Sequence, residues 1–398
     1  MIERPDPTVY EARVDRYRAA MDRWGVDLLF LNFGPDLYYL SGVLTPRYYF
    51  ILKSAADWVS GLWLPRDGAP FLTLSRSMAV DAAEQTWISD LRVIGGPGGR
   101  DFNELRTDED PVAFFNAAAR SVGSVRSIGT TDKVWAQTAH HLREAFPQAQ
   151  PVILTPSMMD GLRMIKDPFE LRMMAKAAEI TDLAMGATLR QLRPGMTERD
   201  VAVEVEYQIR RFGGDGYSFQ PGIICVKPGS ETHRSVLTRN TDLVLTPGTS
   251  IAFDFGVLYQ GYCSDFGRSA FVDPPDPEAL RAYAVITEGV REACALFKDG
   301  AMSPAGMCEW FNEYVGARGF GDAYWYLGLG HGIGLEVHED PRIRPGFDKP
   351  VRTNMCFTLE PKIWRHGRYY VRSEDVVVVG PEGSTPLTRF TYAPLVIA

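Results

Sequence analysis

The sequence predicts a chain of two domains, a smaller α/β unit followed by a larger α+β unit. Three observations predict it. The 398 residues exceed what one hydrophobic core usually supports. Roughly the first 150 residues alternate helical and strand-like patterns. Beyond them, two long capped helical patterns lead into a stretch where strands predominate.

From about Val9 to Trp24, apolar residues recur at helical spacing (Val14, Tyr17, Met21). A Gly-Val-Asp step then leads into the apolar run Leu28-Leu29-Phe30-Leu31. Another strand is expected from Trp58 to Leu64, ending at Pro65-Arg66-Asp67-Gly68, which has turn chemistry. Short strands around Phe71–Leu74 and Ser127–Gly129 flank a helical pattern from Pro111 to Arg120. No catalytic motif is visible in this half, and His140 and His141 read as surface residues on a solvated helix face. The aromatic residues Tyr48, Tyr49, Phe50, Trp58 and Trp63 read first as core.

A boundary is expected near Pro151 to Asp160, giving domains at 1–155 and 156–398. Asp167, Pro168 and Glu170 then form a helix start: cap, first helical position and capping-box carboxylate. That helix stops at Arg193-Pro194-Gly195, and Thr197 with Asp200 opens a second one, which runs to Gly213-Gly214. Strands follow at Ile223–Val226 and Ser250–Gly256, with Tyr262–Val272 as hairpin partner of the latter. Helices are expected at Pro277–Phe297 and Pro304–Arg318, and the last strands at Met355–Trp364 and Tyr369–Val379.

Composition narrows the function. With 45% hydrophobic and 23% charged residues, large-scale disorder is not expected. A net charge of −8 argues against a nucleic-acid-coating surface. No apolar run approaches a membrane span, and the charged N-terminus lacks a signal-peptide core, so a cytoplasmic protein is expected. Five scattered cysteines without a C-x-x-C pair read as reduced, buried thiols.

The chemistry begins with carboxylates where strands should not put them. Asp254 follows Ile251-Ala252-Phe253, and Asp265 stands eleven positions on, across a hairpin turning at Leu258 to Gly261. Two ionised carboxylates on apolar strands repel, and burying either alone is costly; a cation between them removes both problems. Alternatively, each Asp ends its strand and faces water. The anomaly recurs at Glu360 and Glu374, aligned across a hairpin turning near Arg365-His366-Gly367. Four such residues supply the charge that two divalent ions need. An imidazole is at hand in Gly330-His331-Gly332-Ile333-Gly334, although a histidine between glycines reads equally as a loop residue. His338 and His233 lie in the same half, and His366 reads as a surface turn residue.

Taken together, these residues resemble metallopeptidase family M24, that of methionine aminopeptidase, aminopeptidase P and prolidase, whose catalytic domain is the pita-bread fold. The D-x-G…D pair, G-H-G-x-G, E-P and R-x-E-D elements match at Asp254, Asp265, His331, Glu360 and Glu374, within a likeness running from Lys166 to the C-terminus. His338 in H-E-x-P, His233 and the α/β first domain resemble the proline-peptidase and creatinase branch.

The resemblance implies two divalent ions per chain, manganese foremost, with cobalt, zinc and iron as other candidates. Asp265 and Glu374 would bridge them, with Asp254 on one ion and His331 and Glu360 on the other. It also implies a bridging hydroxide attacking an Xaa-Pro carbonyl in a small peptide, with Glu360 as proton shuttle. His233 and His338 would donate to substrate, and Arg372 would orient the ligand carboxylates. A homodimer is implied as well, with Arg47–Tyr49 of one chain selecting substrate at its partner's site.

Two departures stand out: Gly267 where the family usually carries threonine, and Lys362 where it usually carries glycine. A second reading is C–N hydrolysis or elimination on a small non-peptide molecule, as in creatinase, ectoine hydrolase and a sulfoniopropionate lyase. Five intact ligands count against the metal-free creatinase version, and Gly256 stands where the lyase has an extra carboxylate. A third reading, a binding module, sits poorly with an intact ligand set.

Overall fold

The computed structural model describes residues 3–44, 56–96, 108–229, 239–325 and 328–398. The chain divides into two compact units, Met1–Leu162 and Arg163–Ala398. Among the described residues, no helix is long and apolar enough to cross a membrane. His233 and Arg47–Phe50, for which the sequence raised expectations, lie outside the described residues.

In the first unit, α1 (Pro7–Trp24) starts at Asp6, whose carboxylate accepts the Thr8 N–H at 3.0 Å, and stops at Gly25 with φ 67°. The remaining elements are β1 (Leu28–Leu31), α2 (Pro35–Ser41), β2 (Gly61–Pro65), β3 (Phe71–Leu74), α3 (Arg76–Gln85) and β4 (Leu91–Val93). After these come α4 (Pro111–Val122), β5 (Ser127–Thr131), α5 (Ala136–Ala145), β6 (Gln150–Leu154) and α6 (Pro156–Arg163). They build a six-stranded mixed sheet of order β4-β3-β2-β1-β5-β6. Central β1 is buried throughout, which explains its unbroken apolar run. Phe30, Trp58, Trp63 and Phe115 form the core, as expected of both tryptophans. His140 is exposed, but His141 is only 13% exposed and stacks on Trp58 at 4.3 Å, so it is not a surface residue.

In the second unit, α7 (Pro168–Leu189) and α8 (Glu198–Arg211) both begin with the expected capping boxes, at Asp167/Glu170 and Thr197/Asp200. Then come β7 (Gly216–Tyr217), β8 (Gly222–Val226), β9 (Ser250–Phe255), β10 (Val257–Tyr259), β11 (Tyr262–Cys263) and β12 (Phe266–Val272). Two helices, α9 (Pro277–Leu296) and α10 (Pro304–Ala317), precede β13 (Gly330–Gly332) and β14 (Glu339–Ile343). The chain closes with β15 (Cys356–Leu359), β16 (Lys362–Arg365), β17 (Tyr369–Arg372), β18 (Asp375–Val379), β19 (Ser384–Pro386) and β20 (Leu395–Ile397).

A four-stranded sheet, β20-β12-β9-β8, shares an apolar cluster with α7 and α8. A five-stranded sheet, β14-β13-β15-β18-β19, shares another with α9 and α10. All five cysteines are free and buried.

Three expected strands are each broken in two. Tyr262–Val272 parts at Ser264-Asp265, Met355–Trp364 at Glu360-Pro361, and Tyr369–Val379 at Ser373-Glu374. At each break one ladder hands over to another. The antiparallel bridge Gly267↔Glu374 ties the four-stranded sheet to the gap between β17 and β18. An acidic residue sits in every break.

Candidate metal centre

Strand alternation aims Asp254. Its neighbours Phe253 and Phe255 are fully buried in the cluster under α7 and α8, so Asp254 points to the opposite face of β9. Glycines flank it in register, Gly222 on β8 and Gly267 on β12. Asp265 immediately precedes β12. Glu360 and Glu374 are set by one continuous register: Leu359 pairs with Asp375 and Lys362 with Arg372, which places the two glutamates opposite each other in the gap.

His331 is held from both sides. Its N–H donates to Thr358 Oγ1 at 3.1 Å, and its Nδ1 lies 3.0 Å from the Gly332 carbonyl oxygen. A carbonyl only accepts, so Nδ1 carries the proton and Nε2 presents its lone pair. That nitrogen lies 3.6 Å from Asp265 Oδ2 and 3.6 Å from Glu360 Oε1. The adjacent glycines are a packing requirement: a Cβ at Gly330 would collide with the Thr358 carbonyl oxygen.

Cationic side chains hold the carboxylates. Arg372 pairs with Asp254 and Glu374, and with Glu360 at 3.0 Å. Arg239 lies 3.3 Å from Asp254, and Lys362 pairs with Glu360. Gly267 makes this possible, because a Cβ there would come within 2.8 Å of Arg372 Nε and 3.0 Å of its Cδ. The room a threonine would fill is taken by the arginine stem.

Charges are shifted in opposite directions. Burial, reinforced by Glu374 and Asp254, pushes Asp265 well above the usual carboxylate range. Burial also raises Glu374, to about 8, against the pull of Arg372. Burial works the same way on Glu360, but Lys362, Arg372 and His331 outweigh it and hold that carboxyl at about 2. Burial lowers His331 to about 4, which keeps the imidazole neutral.

These residues fit divalent cations. Asp265 Oδ1 and Glu374 Oε1 are buried and have no hydrogen-bond donor among the described residues. Such orphaned oxygens are costly unless a cation meets them. Ligand atoms of Asp265, His331 and Glu374 lie within 4.8 Å of one another. The 3.6 Å gaps from Nε2 to two carboxylate oxygens can each be spanned by one ion with bonds of about 2.1 Å. Asp254 joins the group through Arg372.

The group opens on a cavity of about 860 Å³ that Asp254, Asp265, His331, Glu360 and Arg372 help to line. His338 lines it too, exposed, its ring 4.3 Å from that of His331 and nearly perpendicular to it. Phe219, Tyr324, Trp325, Trp364 and Tyr370 supply aromatic wall. His366 is exposed, as expected, but at this wall rather than on an idle surface. Behind His338, Glu339 is fully buried between Lys166 at 3.1 Å and Arg163 at 3.3 Å, and it accepts the N–H groups of Leu335 and Glu336. Sequence reasoning missed Arg239, the aromatic wall and this anchor; only the H-E pair at His338-Glu339 hinted at the last.

The chain matches the model of metallopeptidase family M24 over residues 172–381 and that of the creatinase/prolidase N-terminal domain over residues 13–165. An Xaa-Pro dipeptidase of Lactobacillus helveticus is 28% identical over 358 residues, 89% of this chain and 93% of that protein. One of Lactobacillus delbrueckii subsp. lactis is 27% identical over 379 residues, 94% and 96% of the two chains. The solved structure of an Xaa-Pro dipeptidase from Bacillus anthracis matches with a TM-score of 0.82 at 22% identity, covering 98% of this chain and all of that one. The expected architecture, a pita-bread domain behind a creatinase-like one, is the fold these neighbours share.

Proposed function

The chain belongs to metallopeptidase family M24, and from that premise we propose that it hydrolyses Xaa-Pro bonds in small peptides using two divalent cations. The observation that carries the reading is the pair of orphaned buried oxygens on Asp265 and Glu374, beside the neutral His331 whose Nε2 faces two carboxylates. Asp265 and Glu374 would hold both ions, Asp254 one of them, and His331 with Glu360 the other. When bound, the ions supply Lewis acidity, which lowers the pKa of water and polarises a carbonyl. An oxygen-rich set with one imidazole suits manganese, with cobalt, zinc and iron as competitors.

The chain's own groups do the rest. Arg372 fixes the orientation of Asp254, Glu360 and Glu374. Glu360, ionised between its cations, begins a cycle able to accept a proton and pass it to the leaving nitrogen. His338 offers a ring N–H to the peptide, steadied by the buried Glu339 next to it. His233 is assigned the same kind of contact, and a cytoplasmic homodimer belongs to this reading.

The elimination alternative loses support at Gly256, where a Cβ would collide with the Ser264 carbonyl oxygen and Ser218 Oγ. No carboxylate side chain fits there.

The test is proline release from Xaa-Pro dipeptides and Xaa-Pro-Yaa tripeptides by metal-stripped protein, with and without Mn²⁺. Metal-dependent release is expected, and the dipeptide-to-tripeptide ratio separates a dipeptidase from an N-terminal aminopeptidase. Silence across the panel with metal bound would refute the peptidase reading.

A further inference from the structure

Lys362 departs from the family pattern, and beyond pairing with Glu360 it has no task in the reaction above. It opens β16 directly opposite Arg372 on β17, so the two cations reach Glu360 from adjoining strands. Both end on Glu360 Oε2, while Oε1 faces His331 Nε2 at 3.6 Å. One carboxylate thus serves two fixed cations and is offered to a third. The Lys362 side chain is 21% exposed and that of Glu360 13%, so water screens the pair only partly. Arg372 pairs with three carboxylates, whereas among the described residues Lys362 pairs directly with Glu360 alone and reaches Glu374 only at longer range.

We propose that Lys362 is a built-in competitor for the cation at the position made by His331 and Glu360, and that it sets how tightly that ion is held. The inference rests on the two-cation reading. The ammonium and the ion draw on the same negative charge, so each must weaken the other's hold. Charge-assisted hydrogen bonds of this kind are strong enough to shift an affinity about tenfold or more. The position anchored by Asp254 lacks this ammonium and carries Arg239 at 3.3 Å instead. Lys362 therefore acts on one ion selectively and makes loading of that ion responsive to the metal supply.

The experiment is calorimetric titration of the metal-stripped full chain with Mn²⁺, comparing wild type with Lys362→Met, Lys362→Gln and Lys362→Arg. Circular dichroism of each stripped protein checks that the fold is kept. Expected are two ions per chain in all four proteins, with one of the two bound about tenfold or more tightly in the Met and Gln variants. The other should stay within about twofold, and Lys362→Arg should resemble wild type. Two ions with affinities indifferent to Lys362, or both tightened equally, overturn this inference and leave the proposed function standing. Absence of ion binding in every protein overturns both.

Discussion

At the scale of single residues, the site is a matter of charge compensation in a confined space. Gly267 illustrates how one missing methyl group decides the arrangement. Gly267→Ala would place a Cβ 2.8 Å from Arg372 Nε and 3.0 Å from the Phe253 carbonyl oxygen. Since a backbone atom cannot step aside, overpacking of about 1–3 kcal/mol is expected, together with displacement of Arg372 from its three carboxylates. Urea unfolding of the metal-stripped variant checks the first, and a changed affinity for both ions checks the second; wild-type values for both would discard the role given to Gly267. The carboxylates stood out because acidic residues in apolar runs violate a pattern, whereas His331 between glycines read equally as a loop residue until the family resemblance singled it out. Arg239 was not, since an arginine in a polar stretch violates nothing, and its reach to Asp254 depends on the fold.

At the scale of elements, helices were more legible than strands. Asp167-Pro168-Phe169-Glu170 announces its helix locally, through a cap and a carboxylate three residues apart. Strand breaks have no such local signal. Tyr369–Val379 reads as one strand because β-forming apolar residues stand on both sides of Arg372 to Asp375, whereas the change of partner there is a long-range event. Short helices such as α2 and α3 escaped notice because too few turns expose a period. One prediction belongs to α7. Burial, opposed by the Arg389 N–H at 2.6 Å and reinforced by Asp375, pushes Asp182 up to about 6. The folded state then holds a proton that the unfolded state releases between about pH 4 and 6, so this group's contribution makes stability fall as pH rises through that window. Asp182→Asn should flatten the window and gain about 1 kcal/mol at pH 7, discounted for its partial exposure. Unfolding curves at pH 4, 5, 6 and 7 that run parallel for both proteins would count against it.

At the scale of the whole molecule, the proposed ligands all belong to the unit Arg163–Ala398, so metal should stabilise that unit alone. At a free ion concentration a hundredfold above each dissociation constant, the gain is about 2.7 kcal/mol per ion, so two ions shift Tm by roughly 10–20 °C. Calorimetry with and without chelator should show one transition moving and one staying; both moving equally, or neither, contradicts the assignment. The division into two domains was readable from length and pattern, while the joining of two sheets through Gly267↔Glu374 was not, because that pairing spans much of the second unit's sequence. The shared register around Glu360 and Glu374 has a consequence for how such a chain can diverge. Between Leu359 and Lys362 on one arm, and between Arg372 and Asp375 on the other, an inserted or deleted residue would slide one glutamate out of step with its partner. Beyond Arg365 and before Tyr369 no such register penalty applies, since the tip lies outside both ladders; the constraints there are the Gly229 N–H donated to the Gly367 carbonyl and the pairing of Arg368 with Asp276 and Glu278. Descendants of this sequence can therefore change length at His366 to Arg368 at the expense of those surface contacts alone, reshaping the mouth of the cavity, while the spacing of the acidic pair is inherited unchanged.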